Sequence, residues 1–126
     1  SASVKIILLD TDTVITRLRK KAHEAMELNK EIVSVWLFGS LARGEALPGS
    51  DADVLVVLER SKLKFRDRIE QFTEAFAGVG VAVDVLPVTV AELEERKDEP
   101  FWRKVLKERV ALTHRSEKRQ TASTRL

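Results

Sequence analysis

The 126-residue chain contains no cysteine. That excludes disulfides and thiolate metal sites, and it weakly favours a cytoplasmic location. No apolar run approaches the ~20 residues that a membrane span needs, and the N-terminus shows no signal-peptide pattern, so no membrane partner is expected. Aromatic residues are absent after Trp102, which leaves the basic end of the chain without a stacking platform for single strands. There is no internal repeat, linker or composition break that would mark a second domain. The expectation is one domain over residues 1–115, large enough to bury roughly two-thirds of its unfolded surface. It is followed by a polar, aperiodic tail over 116–126 that reads as disordered.

What is present fits a soluble, charge-rich protein, with 44% hydrophobic and 33% charged residues. The net charge of +2 is unevenly spread, because residues 96–126 carry ten Lys/Arg against four Asp/Glu. Such an end could touch nucleic acid or an acidic partner. A solvated tail explains it better, and nucleic acid is not expected as a partner.

Residue periodicity gives the element order. Val4–Leu9 is a short apolar run that reads as an edge strand. Asp12 is the expected cap of a helix reaching about Asn29, with Val14, Leu18, Ala22, Ala25 and Met26 on its inner face. Ile32–Phe38 reads as a strand, Ser40–Gly44 as a short helix and Leu47–Ser50 as a loop. Asp51–Leu58 is a strand whose apolar residues on both faces predict burial on both sides. Phe65, Ile69, Phe72 and Phe76 stripe a second long helix, closed by Gly78 and Gly80. Val81–Leu86 is the next strand, ending at Pro87. Thr89 and Glu92 form a capping box for a short helix to about Lys97. Pro100 fits the first turn of another helix, to about Lys107. Val110–Thr113 is either a last strand or a final helical turn.

The segment FGSLARGEALPGSDADVLVVL carries the chemistry. Gly39-Ser40 ends one apolar run, and after ten intervening residues Asp51-Ala52-Asp53 begins the next. On a strand, residues i and i+2 face the same side, so Asp51 and Asp53 are expected close together. At ~5 Å and an effective dielectric near 20, two such charges repel by about 3 kcal/mol. No lysine or arginine lies between Ser50 and Leu58, which makes a bound divalent cation the natural counter-charge. Oxygen ligands without cysteine favour magnesium first and manganese second. Magnesium commonly completes its shell with substrate phosphates, and the Gly-Ser turn, the Ser40 hydroxyl and the Arg43 guanidinium are suited to hold these.

Asp84 stands inside the apolar run Val81–Leu86, where an unpaired buried carboxylate is costly. It could pair with Arg103 or Arg109, or complete a carboxylate cluster if its strand lies beside Asp51–Leu58. The cluster is the expectation, since it explains why a charge is tolerated there. Three aspartates around two hard cations suit in-line attack on the α-phosphorus of a nucleoside triphosphate, with Asp84 able to accept the acceptor's proton.

Gly39-Ser40, ten residues, Asp51-x-Asp53 and the later Asp84 closely resemble the minimal nucleotidyltransferases of the DNA polymerase β-like superfamily. The wider Gly-Ser-Leu-Ala-Arg-Gly…Ser-Asp-Ala-Asp-Val matches that family's fuller pattern, and the resemblance covers about residues 12–113. It implies an α/β fold, a small mixed β-sheet flanked by helices as in a polymerase β-like palm. Carried over by position, Gly39 and Ser40 would bind the nucleotide's phosphates. Asp51 and Asp53 would bind two magnesium ions, Asp84 would complete the site, and Arg43 and Ser50 would support the phosphates or the loop. Val54 stands where leucine is common.

Many stand-alone members resemble antitoxins of HEPN-domain toxins, and transfer AMP from ATP to a toxin tyrosine or bind the toxin as an inhibitory complex. The resemblance therefore implies an enzyme acting on a partner protein. The alternatives are a non-catalytic toxin-binding module and a small-molecule, antibiotic-type nucleotidyltransferase. No thumb or template-binding domain is evident, which argues against a processive polymerase. The large extra domain of aminoglycoside nucleotidyltransferases is also missing, although a homo-oligomer could build such a site between subunits.

Overall fold

Four strands form one mixed sheet in the order β3-β2-β1-β4. The computed structural model describes residues 10–113. The expected strand Val4–Leu9 and the tail 116–126 lie outside them. Helix α1 spans Thr11–Leu28, strand β1 Ile32–Phe38 and the five-residue helix α2 Gly39–Arg43. Strand β2 covers Ala52–Leu58, helix α3 Phe65–Ala75 and strand β3 Val83–Thr89. Helices α4 (Val90–Arg96) and α5 (Pro100–Glu108) follow, and strand β4 (Val110–Ala111) closes the described chain. β2 pairs antiparallel with β1 and parallel with β3, while β4 pairs antiparallel with the far side of β1. This is the small mixed sheet flanked by helices that the resemblance implied.

The two faces of the sheet bury different cores, and β2 feeds both. Ala52, Val54, Val56 and Leu58 point into the core made with Val14, Leu18 and Ala22 of α1 and Phe72 of α3. Leu55 and Val57 point the other way, onto Val88, Leu93, Trp102 and Val105. The strand alternation thus assigns each residue to a side. It also explains the continuous apolar run, as a central strand covered on both faces has no solvated side. Pro100 opens α5 at its first turn, where its missing N–H costs nothing.

The structure corrects several boundaries. The residue at the N-cap of α1 is Asp10, and Asp12 lies in the first turn, where a carboxylate still complements the helix dipole. β3 does not stop at Pro87 but runs through it to Thr89. Among the described residues it is an edge strand, and the Pro87 carbonyl points outward to accept from Arg68 Nη1 at 3.3 Å. The missing N–H therefore also points away from the β2 ladder and is not missed. Val110–Ala111 resolves as a strand, and the Leu112 N–H continues the pairing onto the Val35 carbonyl at 2.9 Å.

The capping box forms as expected. Glu92 N donates to Thr89 Oγ1 at 3.1 Å, and Thr89 N donates to Glu92 Oε1 at 2.9 Å. Glu92 does more than cap. It also receives Arg68, a helix residue only 5% exposed, through Nη1 at 2.6 Å and Nη2 at 3.1 Å. With Nε donated to the Leu63 carbonyl at 2.9 Å, the buried guanidinium is held from three sides.

Candidate active site

Strand parity and register bring two of the three aspartates together. Asp53 lies on the β2 face that carries Leu55 and Val57, and it is the register partner of Asp84 across the parallel β2–β3 pair. Both carboxylates therefore rise from adjacent strands on the face covered by α4 and α5, at the end of the sheet where α2 follows β1. They open onto a cleft of about 830 Å³ that is also lined by Gly39, Ser40 and Arg43 of α2 and by Phe101, Lys104 and Glu108 of α5. The Gly39-Ser40 turn and the two carboxylates share one cavity.

Asp51 is near enough to push the Asp53 carboxyl up, but it does not line the same cleft. It is exposed and lies one residue before β2, so strand alternation does not bind its side chain. It lines a neighbouring depression together with Ser50, Leu47 and Gly80. Among the described residues no group of three His, Cys, Asp or Glu side chains converges to hold a metal ion. Asp84 is also exposed rather than buried, which removes the desolvation argument made for it. Neither Arg103 nor Arg109 forms an ion pair with it among the described residues. The Arg109 guanidinium instead lies 4.2 Å from the ring centroid of Trp36.

Negative charge is in excess around Asp53. Its carboxyl is pushed above the ordinary aspartate value, first by burial and then by Asp84, Asp51 and Glu108, with only Arg43 opposing. Such a carboxylate is stabilised in its ionised form by an added cation. The pair Asp53 and Asp84 thus fits a hard divalent ion by donor chemistry and by charge.

Gly39 fits the turn for a specific reason. Its φ is +77°, and a Cβ added there would overlap Asp53 Oδ2. The glycine lets the backbone approach the carboxylate in a conformation that L side chains rarely adopt.

Glu108, which the sequence reading did not single out, ties this turn to α5. Its Oε1 accepts the Gly39 N–H at 3.0 Å, and its Oε2 accepts Arg43 Nη1 at 2.9 Å. Burial pushes the Glu108 carboxyl up, but its bonds to Arg43 and to Gly39 N–H outweigh that and hold it below the usual value. Arg43 is also bound by Glu45, through Nε at 2.9 Å. Ser50 acts within its loop, where its Oγ accepts the Leu47 N–H at 2.9 Å. No local signal in the sequence marks Glu108. Its spacing of three and four residues from Val105 and Lys104 shows only a helix face, and the contact with Gly39 spans 69 residues.

Comparison with known proteins places the chain. No curated protein matches it. A crystal structure of a provisionally assigned nucleotidyltransferase from Sulfolobus solfataricus is similar, with a TM-score of 0.64 at 20% identity over 93% of this chain and 91% of that one. A chain from a structure of a toxin-antitoxin with AMP-PNP is also similar, with a TM-score of 0.50 at 15% identity over 93% of this chain and 83% of that one. At these identities the likeness shows the fold. The model of the nucleotidyltransferase domain matches residues 18–114, which include β1, α2, β2, β3 and α5 with every cleft residue named above. The chain belongs to the nucleotidyltransferase domain family.

Proposed function

We propose that this protein is a magnesium-dependent enzyme that transfers a nucleoside monophosphate, AMP from ATP, to a hydroxyl of a partner protein. The observation that carries the reading is the register pairing of Asp53 with Asp84 in a cleft that also holds Gly39 and Ser40. Asp53 and Asp84 would hold the divalent ion, with Asp51, at the entry to β2, as a further ligand. When bound, the ion would offset the charge of the phosphates and the carboxylates.

The chain's own residues account for the remaining steps. Gly39 and Ser40 line the side of the cleft on which the phosphates would lie, with Arg43 beside them and Ser50 fixing the loop that leads to Asp51. Asp84, exposed and opposite Asp53, accepts the proton of the acceptor hydroxyl. The hydroxyl oxygen forms a bond to the α-phosphorus, the bond from that phosphorus to the bridging oxygen breaks, and pyrophosphate leaves.

A protein acceptor is supported by the toxin-antitoxin neighbour, which was solved with AMP-PNP. A toxin of the HEPN type is the partner we favour. Among the described residues no helix is long and apolar enough to cross a membrane.

The test uses ATP labelled at the α-phosphate, magnesium and a lysate of the source cell, with wild type beside Asp53→Ala. Label on a protein with wild type alone supports transfer and identifies the acceptor. A variant that labels as well as wild type would refute the role given to Asp53.

A further inference from the structure

Arg43 is committed elsewhere. Two carboxylates, Glu45 and Glu108, hold its Nε and Nη1 at 2.9 Å each, so the guanidinium is already engaged before any substrate arrives. Its guanidinium acts as a strut between α2 and the C-terminal turn of α5. A triphosphate still requires a cation, and among the described residues the cleft has one other. Lys104 lines it from α5, is exposed, and makes no ion pair among the described residues.

One turn earlier on the same helix face, Phe101 lines the cleft with 54% of its surface exposed. This is an unusual exposure for a ring that is already fixed. Phe38 holds it edge-on at 6.4 Å and Trp102 at 5.3 Å between ring centroids. A rigid aromatic with a free surface at a cleft wall is suited to take a nucleobase. The residues 101, 104, 105 and 108 follow helical spacing, so one face of α5 presents an aromatic, a cation and the Glu108 anchor in succession.

We infer that α5 is the nucleotide-reading wall of the cleft: Lys104 takes the β- and γ-phosphates, Phe101 takes the base, and Arg43 is a positioning residue. The inference rests on the proposal that the cleft binds a nucleoside triphosphate. It replaces Arg43 with a residue 61 positions later in the chain as the cation that separates ATP from AMP.

Dissociation constants of Mg-ATP and of AMP for the full chain test it, measured by titration calorimetry on wild type, Lys104→Ala, Phe101→Ala and Arg43→Ala. A charge-assisted contact to phosphate predicts that Lys104→Ala weakens ATP about ten- to a hundredfold and leaves AMP nearly unchanged. Phe101→Ala should weaken both nucleotides about equally, by about tenfold. Arg43→Ala should lower the melting temperature and weaken both nucleotides without selecting ATP. Since Lys104 is exposed and makes no ion pair among the described residues, its variant should melt close to wild type. If wild type binds ATP and Lys104→Ala binds it equally well, or if Arg43→Ala alone shows the ATP-selective loss, the assignment to α5 is overturned while the proposed function stands. If wild type binds no nucleotide, both fall together.

Discussion

Replacing Gly39 by alanine should separate stability from activity, and the structure gives both sizes. Gly39 has φ +77°, and an L residue there costs about 1–2 kcal/mol in backbone strain. For a domain of this size that corresponds to a fall of about 3–10 °C in melting temperature. The new Cβ would also overlap Asp53 Oδ2, the far end of a side chain that can rotate away. The overlap therefore adds little to the stability loss, and its cost falls on the position of the carboxylate. A displacement of about 1 Å can lower a rate by about a hundredfold.

Gly78→Ala is the control, because Gly78 has φ +84° with nothing within 4 Å of its added Cβ. Both variants should melt lower by similar amounts, and only Gly39→Ala should lose nucleotidyl transfer, measured as pyrophosphate release per mole of folded protein. If the two variants are equally active, the close approach of Gly39 to Asp53 has no catalytic meaning. If Gly39→Ala fails to fold while Gly78→Ala folds, the turn is a structural element and the reasoning is wrong.

Other outcomes follow from the same contacts. Asp53→Asn should raise the melting temperature in metal-free buffer near pH 7, because the folded state holds that carboxyl above its ordinary value and its ionised form opposes folding. The gain should vanish as pH falls below the ordinary aspartate value, where both states are protonated; an equal gain at pH 3 would contradict it. Glu92→Gln should cost about 1–3 kcal/mol in a denaturant titration, since it leaves the buried Arg68 poorly paired and weakens the cap, the figure being held down by the partial exposure of Glu92. The Glu92 carboxyl is held below its usual value chiefly by Arg68. Its contribution should be present above the ordinary glutamate value and be lost as pH falls through the lowered one, so the variant should show a shallower acid-side decline. Removal of residues 116–126 should leave the melting temperature unchanged, because the family match ends at residue 114; a fall of several degrees would show that the tail packs on the domain.

The elements that the sequence made legible are those governed by local rules. β1 and the Thr89–Glu92 capping box match their expected residues, since strand periodicity and a reciprocal cap are short-range properties. Pro87 misled because the rule against proline in strands applies to the N–H side of the ladder, and only the sheet order shows that side facing away from β2. For Asp51 the i, i+2 argument applies at the entry to the strand, since β2 begins one residue later, and its charge still reaches Asp53.

Asp84 was located for a reason the structure does not support. The sequence reading took it as buried, yet it is exposed, and what puts it in the cleft is its register opposite Asp53. Lys104, Phe101 and Glu108 went unread because a helix face of mixed type has no meaning until the opposite wall is known. The contacts of Glu108 with α2 and of Phe101 with β1 are long-range, and spacing does not encode such contacts.

The most direct test of the central claim compares two labels on one substrate. Purified protein, magnesium and a lysate of the source cell would be incubated with ATP labelled at either the α- or the γ-phosphate. The account predicts covalent label on an acceptor protein from the α-position only, equimolar pyrophosphate release, and loss of both with Asp53→Ala. Label from the γ-position, or α-label that persists in Asp53→Ala, would contradict it.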